Sequence, residues 1–180
     1  VEAGILIPNS GANSFASGGN GGSEITFSGS EDLGSGLKAS FGVTYINQPF
    51  NDSNTDAARA GNGVTTYNSF VGVGSEFGTV KLGHQFTPAF RVANIADPFG
   101  QAGGTQSYIG TTNALLEKSI TYVSPSISGV GVEYQANPDG SKSSYGLTYS
   151  AGALNVGYGA ETVSSSTQTY ISGNYDLGMA

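Results

Sequence analysis

Residues 37–45 read Leu, Lys, Ala, Ser, Phe, Gly, Val, Thr, Tyr, with apolar side chains at the odd positions and small or polar ones at the even positions. A period of two is that of a strand with one apolar face and one polar face. The same beat runs through Tyr145, Leu147 and Tyr149, then Leu154, Val156 and Tyr158, then Ile171, Gly173, Tyr175 and Leu177. Ile25/Phe27, Val80/Leu82, Ile120/Tyr122 and Val130/Val132/Tyr134 repeat it more briefly. The pattern predicts about ten strands and an all-β fold. No helix-period stretch competes, although 106–117 has room for a short turn of helix.

The connections alternate in length. Tight ones fall near Asp32–Gly36, Ser75–Gly78, Pro125–Gly129 and Ala151–Gly152. Long ones span 9–22, 47–63 and 87–117, with shorter ones near 137–142 and 162–166. Short turns on one rim and longer loops on the other are the rhythm of an antiparallel transmembrane β-barrel. Its strands need roughly 9–11 tilted residues to span. A soluble sandwich also alternates along its strands, but its architecture imposes no such rhythm of connections. The chain opens inside a strand-like piece, "VEAGILIP", and stops at "YDLGMA" just past a turn, so it reads as part of a longer protein.

Composition sharpens this. Charged residues make up 11%, against about 25% in a typical soluble domain. Hydrophobics reach only 37%, and the longest apolar runs, such as Ile5–Leu6–Ile7, fall far short of the roughly 18 residues of a spanning helix. Ten tyrosines and nine phenylalanines suit an apolar face with interfacial aromatic girdles. Phe41, Tyr45, Tyr122, Tyr149, Tyr158 and Tyr175 lie near strand ends or on the apolar side. A net charge of −7 argues against nucleic acid as a partner. With no cysteine, disulfides and thiolate metal sites are excluded. His84 is the single imidazole and no Gly-x-Ser-x-Gly elbow is present, so the reading is not an enzyme, with no catalytic residues. "GVGSEFG" leads into a strand and reads as a turn rather than a phosphate cradle. "DSNTDAARAGNG" (52–63) echoes a calcium loop through Asp52, Asn54 and Asp56, but has Ala57 and Gly63 where that loop needs Gly and Glu. No metal and no cofactor are expected.

The motifs "SGSEDLGSGLKASF", "SFVGVGSEFGTVKLGHQFTP", "DPFG", "KSITYVSPSISGVGVEYQ" and "SYGLTYSAGALNVGYGA" occur in this order along the chain. Together they resemble the general diffusion porins of Gram-negative outer membranes, most closely the β-proteobacterial type, over the N-terminal portion of such a protein. The resemblance implies a single 16-stranded barrel in the complete protein, here spanning 1–180 and incomplete at both ends. It also implies a homotrimer in outer-membrane lipid and lipopolysaccharide, passing small hydrophilic solutes passively. It further implies that 87–117 folds inward as a constriction loop; long loops without their own structure are commonly functional. The sequence departs from the family at His84, where a basic residue is usual, and near Leu115–Leu116, where an arginine is common before an "NS" pair that is "KS" here. The family's closing strands and terminal aromatic are absent.

Channel selectivity follows the charges at the narrowest point, and at physiological salt each is felt over about 8 Å. Lys81 is opposite in parity to Val80 and Leu82 and is expected to face water, as is Glu133 between Val132 and Tyr134. Strict parity turns His84 outward. The resemblance instead puts it in the lumen, which requires a bulge or twist at Gly83, and the lumen is the expected place; the alternative is a rim histidine. Arg91 and Asp97 fall in the constriction segment, where Asp97 supplies an acidic side or is simply a turn aspartate before proline. Glu117 and Lys118 form either a lumenal pair or a local one at a strand start. Thirteen acidic groups against six basic ones predict a weak cation preference. Two rival readings stand beside the porin: the same barrel as an adhesin or phage receptor, and a secreted carbohydrate-binding β-sandwich.

Overall fold

The computed structural model describes residues 4–6, 14–16, 23–47, 64–97 and 114–178. A two-stranded antiparallel pair joins β1 (Gly4–Leu6) to β2 (Ser14–Ala16). Nine further strands form one sheet: β3 (Ser23–Gly34), β4 (Leu37–Asn47), β5 (Val64–Ser75), β6 (Gly78–Phe86), β7 (Leu115–Val123), β8 (Val130–Ala136), β9 (Lys142–Ala151), β10 (Leu154–Val163) and β11 (Ser166–Tyr175). Their order in the sheet is their order in the chain, and every neighbour is antiparallel. An up-and-down meander of this kind is the wall of a barrel. The sheet is not closed on itself in this chain. The expected strand count is thus slightly low, because the short β1–β2 pair shows little alternation.

The ladder sorts the side chains by face. Phe41, Val71, Leu82 and Ile120 are directly opposed across β4–β7, and they are 46, 58, 50 and 45% exposed. Val132, Leu147, Tyr158 and Ile171 form an equivalent row across β8–β11 and are likewise exposed. Among the described residues no second sheet covers this apolar face. The sandwich reading fails on that point, since its strands must bury such a face against a partner sheet. The other face carries Ser40, Gly72, Lys81, Thr121, Gln135, Ser144, Glu161 and Gln168 in one continuous row.

The connections keep the predicted rhythm. On one rim they are 35–36, 76–77, 124–129 and 152–153; on the other they include 48–63, 87–114 and 137–141. The turn at Ser128–Gly129 has φ of 52° and 85°, the left-handed pair that a tight hairpin between right-twisted strands requires. The connection near 162–166 is shorter than expected. There the ladder continues to Val163↔Ser166, and the Thr162 and Thr167 hydroxyls meet at 2.9 Å. The calcium-loop echo at 52–63 lies outside the described residues, as does 98–113.

The segment after β6 contains the main departure from expectation. Residues Pro88–Asn94 form a helix, α1, within a stretch expected to be without regular structure, while Leu115–Glu117 already belong to β7. A helix this short is about two turns, too brief for a periodicity to register in the sequence. Its start is nonetheless encoded: Thr87 is the N-cap, its Oγ1 accepting from the Phe90 N–H at 3.2 Å, and Pro88 occupies the first helical position.

Candidate functional site

α1 lies against the polar face of the sheet, chiefly over β9, β10 and β11. Phe90 stacks on Phe86 of β6, with centroids 5.2 Å apart, while the Ile95 carbonyl just past α1 accepts from Asn174 of β11 at 2.7 Å. Between these contacts α1 covers the inner faces of Gly146, Gly157 and Gly159 on β9 and β10, where an added Cβ would meet Val92, Pro88, Ile95 or Ala89. Ala89, Phe90, Val92 and Ala93 are nearly fully buried, as are Gln85, Thr121, Gln135 and Ser144 of the wall, and Ser144 bonds α1 directly.

That buried wall is polar and mostly paired, with Gln135 Oε1 a buried acceptor left without a partner. Gln85 Nε2 donates to Thr121 Oγ1 at 3.1 Å, and Gln135 Nε2 donates to Ser119 Oγ at 3.0 Å. Cross-linking of this kind makes burial of amides tolerable. It also stiffens the surface on which α1 rests. The N–H of Thr87 donates to the carbonyl of Ala114 at 2.9 Å, so the two ends of the long connection are tied together at the wall.

α1 is two-sided. Pro88, Ala89, Val92 and Ala93 are buried against the wall, whereas Arg91 and Asn94 are partly exposed. The Arg91 guanidinium reaches the Glu133 carboxylate of β8 at 2.5 Å. Lys81 on β6 is within electrostatic reach of both, and its ammonium sits 4.7 Å from the centre of the Phe70 ring. Lys81, Arg91 and Glu133 thus form one charged group on the inner face. Asp97 lies just beyond α1, its N–H donating to the Asn94 carbonyl at 3.1 Å; the rest of "DPFG" is outside the described residues.

His84, Glu117 and Lys118 do not join this group. A bulge does interrupt the β6–β7 ladder, as a lumenal His84 would need. However, from Gly83↔Ser119 to Gln85↔Leu116 the extra residue is on β7, where Lys118 takes a φ of 49°. β6 keeps its alternation against β5, pairing His84 with Ser69 and Leu82 with Val71. His84 therefore falls on the face of Leu82, and the lumenal placement expected for it is corrected. Glu117 and Lys118 make the bulge itself and are exposed there, with both carbonyls accepting from Asn137 Nδ2. The contacts of Ser144, Ser172 and Asn174 with α1 were not foreseen. Parity puts these residues on the polar face, but nothing in the sequence announces a helix opposite them.

A meander whose apolar face is exposed among the described residues, and whose polar face holds a segment of the chain, is the wall of an outer-membrane β-barrel. The chain belongs to the Gram-negative porin family, whose model matches residues 2–180, and its place is the outer membrane. It is 34% identical over 134 residues to the major outer membrane protein P.IA of Neisseria meningitidis serogroup B, covering 71% of this chain and 32% of that protein. The chain thus spans about a third of the length of the curated relatives it matches. Among solved structures it is similar to an anion-selective porin from Comamonas acidovorans, with a TM-score of 0.71, 20% identity, and coverage of 98% of this chain and 60% of that one. It is also similar to the trimer form of OmpT from Vibrio cholerae, with a TM-score of 0.67, 18% identity, and coverage of 98% and 58%. At these identities the structures establish the shared fold.

Proposed function

We propose that the complete barrel built on this wall is a passive diffusion channel for small hydrophilic solutes and ions, and that the 87–114 connection narrows it. The observation that carries this reading is α1 held on the polar face by contacts that run from β6 to β11. A segment so placed occupies cross-section that a plain barrel would leave to water. Lys81, Arg91 and Glu133 then line the narrowed part, with Asp97 at the end of α1. Their charges nearly cancel, and Arg91 is already neutralised by Glu133. Further along the inner face Asp32 is directly opposed to Lys38, and Lys142, Glu24 and Glu161 add one basic and two acidic groups. A small acidic excess supports a weak cation preference. The Comamonas porin is anion-selective by name, but 20% identity carries no charge pattern across.

The assembly we infer is a homotrimer in contact with outer-membrane lipid and lipopolysaccharide, a reading supported by the trimer form of the Vibrio protein. Transport rather than catalysis is the role. Reconstitution of the complete barrel in planar bilayers tests the proposal: stepwise ohmic conductance is expected, with a small reversal potential of cation-selective sign in a salt gradient. Absence of conductance from correctly folded trimers refutes the channel, and a clear anion-selective potential refutes the charge assignment alone.

A further inference from the structure

α1 has the interior backbone groups of a helix only two turns long, so most of its N–H and C=O groups are terminal and need partners from elsewhere. At its start Pro88 has no N–H to satisfy, and Phe90 is bonded to Thr87. The remaining donor, the Ala89 N–H, goes to Ser144 Oγ on β9 at 3.0 Å, and the same hydroxyl donates onward to the Ala160 carbonyl at 3.2 Å. At its end Ser172 Oγ on β11 donates to the Val92 carbonyl, and Asn174 Nδ2 donates to the Ile95 carbonyl at 2.7 Å. Asn174 is itself oriented by Asn155, whose Nδ2 donates to its Oδ1 at 3.0 Å. The wall thus presents an acceptor to the helix N-terminus and two donors to its C-terminal end, the polarity that the helix dipole favours.

Between these clamps the wall is bare backbone. A Cβ on Gly157 would lie 2.7 Å from Ile95 Cδ1, and one on Gly159 would lie 3.1 Å from the Ala89 Cα. At Gly159 the neighbour is main chain, so no side-chain rotation relieves the contact, and an added side chain must move α1 off the wall. We propose that the aperture is set from behind. Gly157 and Gly159 fix how far α1 stands from the wall, and Ser144, Ser172 and Asn174 fix its position along the wall. These are positioning residues, covered by α1 or bonded to it, and the inference rests on the proposed constriction.

Two readouts on the complete barrel test it together. The first is single-channel conductance. The second is the distance between spin labels at Ala96→Cys, beyond α1, and Ile171→Cys on the outer face of β11, in a chain with no native cysteine. Gly159→Val is expected to lengthen that distance and lower conductance by about 1.5-fold or more, because an overpacked contact moves backbone and pore diameter governs flux. Ser172→Ala combined with Asn174→Ala adds no volume, so it remains informative if Gly159→Val does not fold. It is expected to broaden the label distance and raise open-channel noise, and Ser172→Thr with Asn174 intact is expected to restore both. An unchanged label distance in folded Gly159→Val and in the double variant overturns the dock, whether or not the barrel conducts. A changed distance with unchanged conductance overturns its control of the aperture. A wild-type barrel that does not conduct refutes the channel reading, while the label distances still decide the dock.

Discussion

Glycine stands on the inner face in two regions of the wall, and the space beside it is filled in two different ways. In β4 the gap over Gly42 is closed by a cross-strand ring: a Cβ there would lie 2.7 Å from Phe70 Cε1, and Phe70 is the residue directly opposite on β5. In β9 and β10 the gap is closed by α1, which arrives from a distant connection: a Cβ on Gly146 would lie 3.2 Å from Val92 Cγ2 and 3.3 Å from the Pro88 carbonyl oxygen. Among the described residues the first region is covered by side chains of the sheet itself, whereas the second is a wall with a helix upon it. The same residue type with the same parity therefore lies under a neighbouring ring in one place and under a helix in the other. The difference lies in what the long connection brings back, not in the strands themselves.

If the two regions differ only on the inside, their outer faces should respond alike to charge. Val71→Arg in the first region and Leu147→Arg in the second each place a cation on the exposed apolar face. Each is expected to cost about 2–4 kcal/mol if it lies near the bilayer midplane, read from reversible unfolding of the complete barrel in lipid vesicles. A negligible cost at one site alone would show that its face meets something other than lipid. The inner faces should then diverge. Gly146→Val must displace α1 and is expected to cost about 1–3 kcal/mol through overpacking. Gly42→Ala meets only a ring tip that can rotate, and is expected to stay within about 1 kcal/mol. Equal costs at the two glycines would break the comparison.

Phe70 sharpens the ring-covered side. Its ring both covers Gly42 and lies beneath the Lys81 ammonium. Phe70→Leu keeps an apolar cover but removes the π-face, and about 0.5–1 kcal/mol is expected to be lost, as for an exposed cation–π contact. The same measurement in the Lys81→Met background should show no such loss. If the loss persists there, the ring acts by packing alone.

The strands, their faces and the rhythm of their connections were legible because a period of two persists over several turns of pattern, as in 37–45 and 145–149, and a sheet wet on one side enforces it throughout. Parity puts Lys81 and Glu133 on the face of Gly72 and Gly146 for the same reason. His84 was misplaced because parity was set aside for a bulge; the bulge exists, but its extra residue is on β7 rather than β6. α1 was missed because two turns of helix offer too few positions to show a 3.6-residue period. Its anchors at Ser144, Ser172 and Asn174 were hidden for a different reason. A serine that binds water on a channel wall and one that caps a helix are the same letter in the same parity, and only tertiary proximity separates them.

The two rims carry the comparison to its smallest effect. The turn at Ser128–Gly129 is held by left-handed backbone conformations, which do not titrate. The turn between β8 and β9, on the opposite rim, has backbone bonds and a left-handed Gly140 as well, and adds a carboxylate to them. Asp139 Oδ1 accepts from the Ser141 N–H at 2.9 Å, and the Ser141 carbonyl accepts from the Ser164 N–H at 3.0 Å. The hydrogen bond from the Ser141 backbone is the main reason the Asp139 carboxyl titrates below the ordinary aspartate value of 3.8. A carboxyl lowered on folding adds stability at pH values above its unfolded midpoint and loses that contribution as pH falls through the lower folded one. Acid should therefore loosen this rim below pH 3.8 while leaving the 128–129 turn unchanged. Because the group is fully exposed, the effect should be visible locally rather than in the melting of the barrel. A carboxyl NMR titration of the complete barrel checks it: a depressed midpoint for Asp139, with amide exchange at Ser141 rising in the same pH range, is the expected result. Asp139→Asn should remove the pH dependence and keep the turn, since the amide oxygen accepts the same bond. A midpoint at or above 3.8, or equal acid loosening at the two turns, would contradict this division between a turn without a titrating brace and a turn braced by a carboxylate.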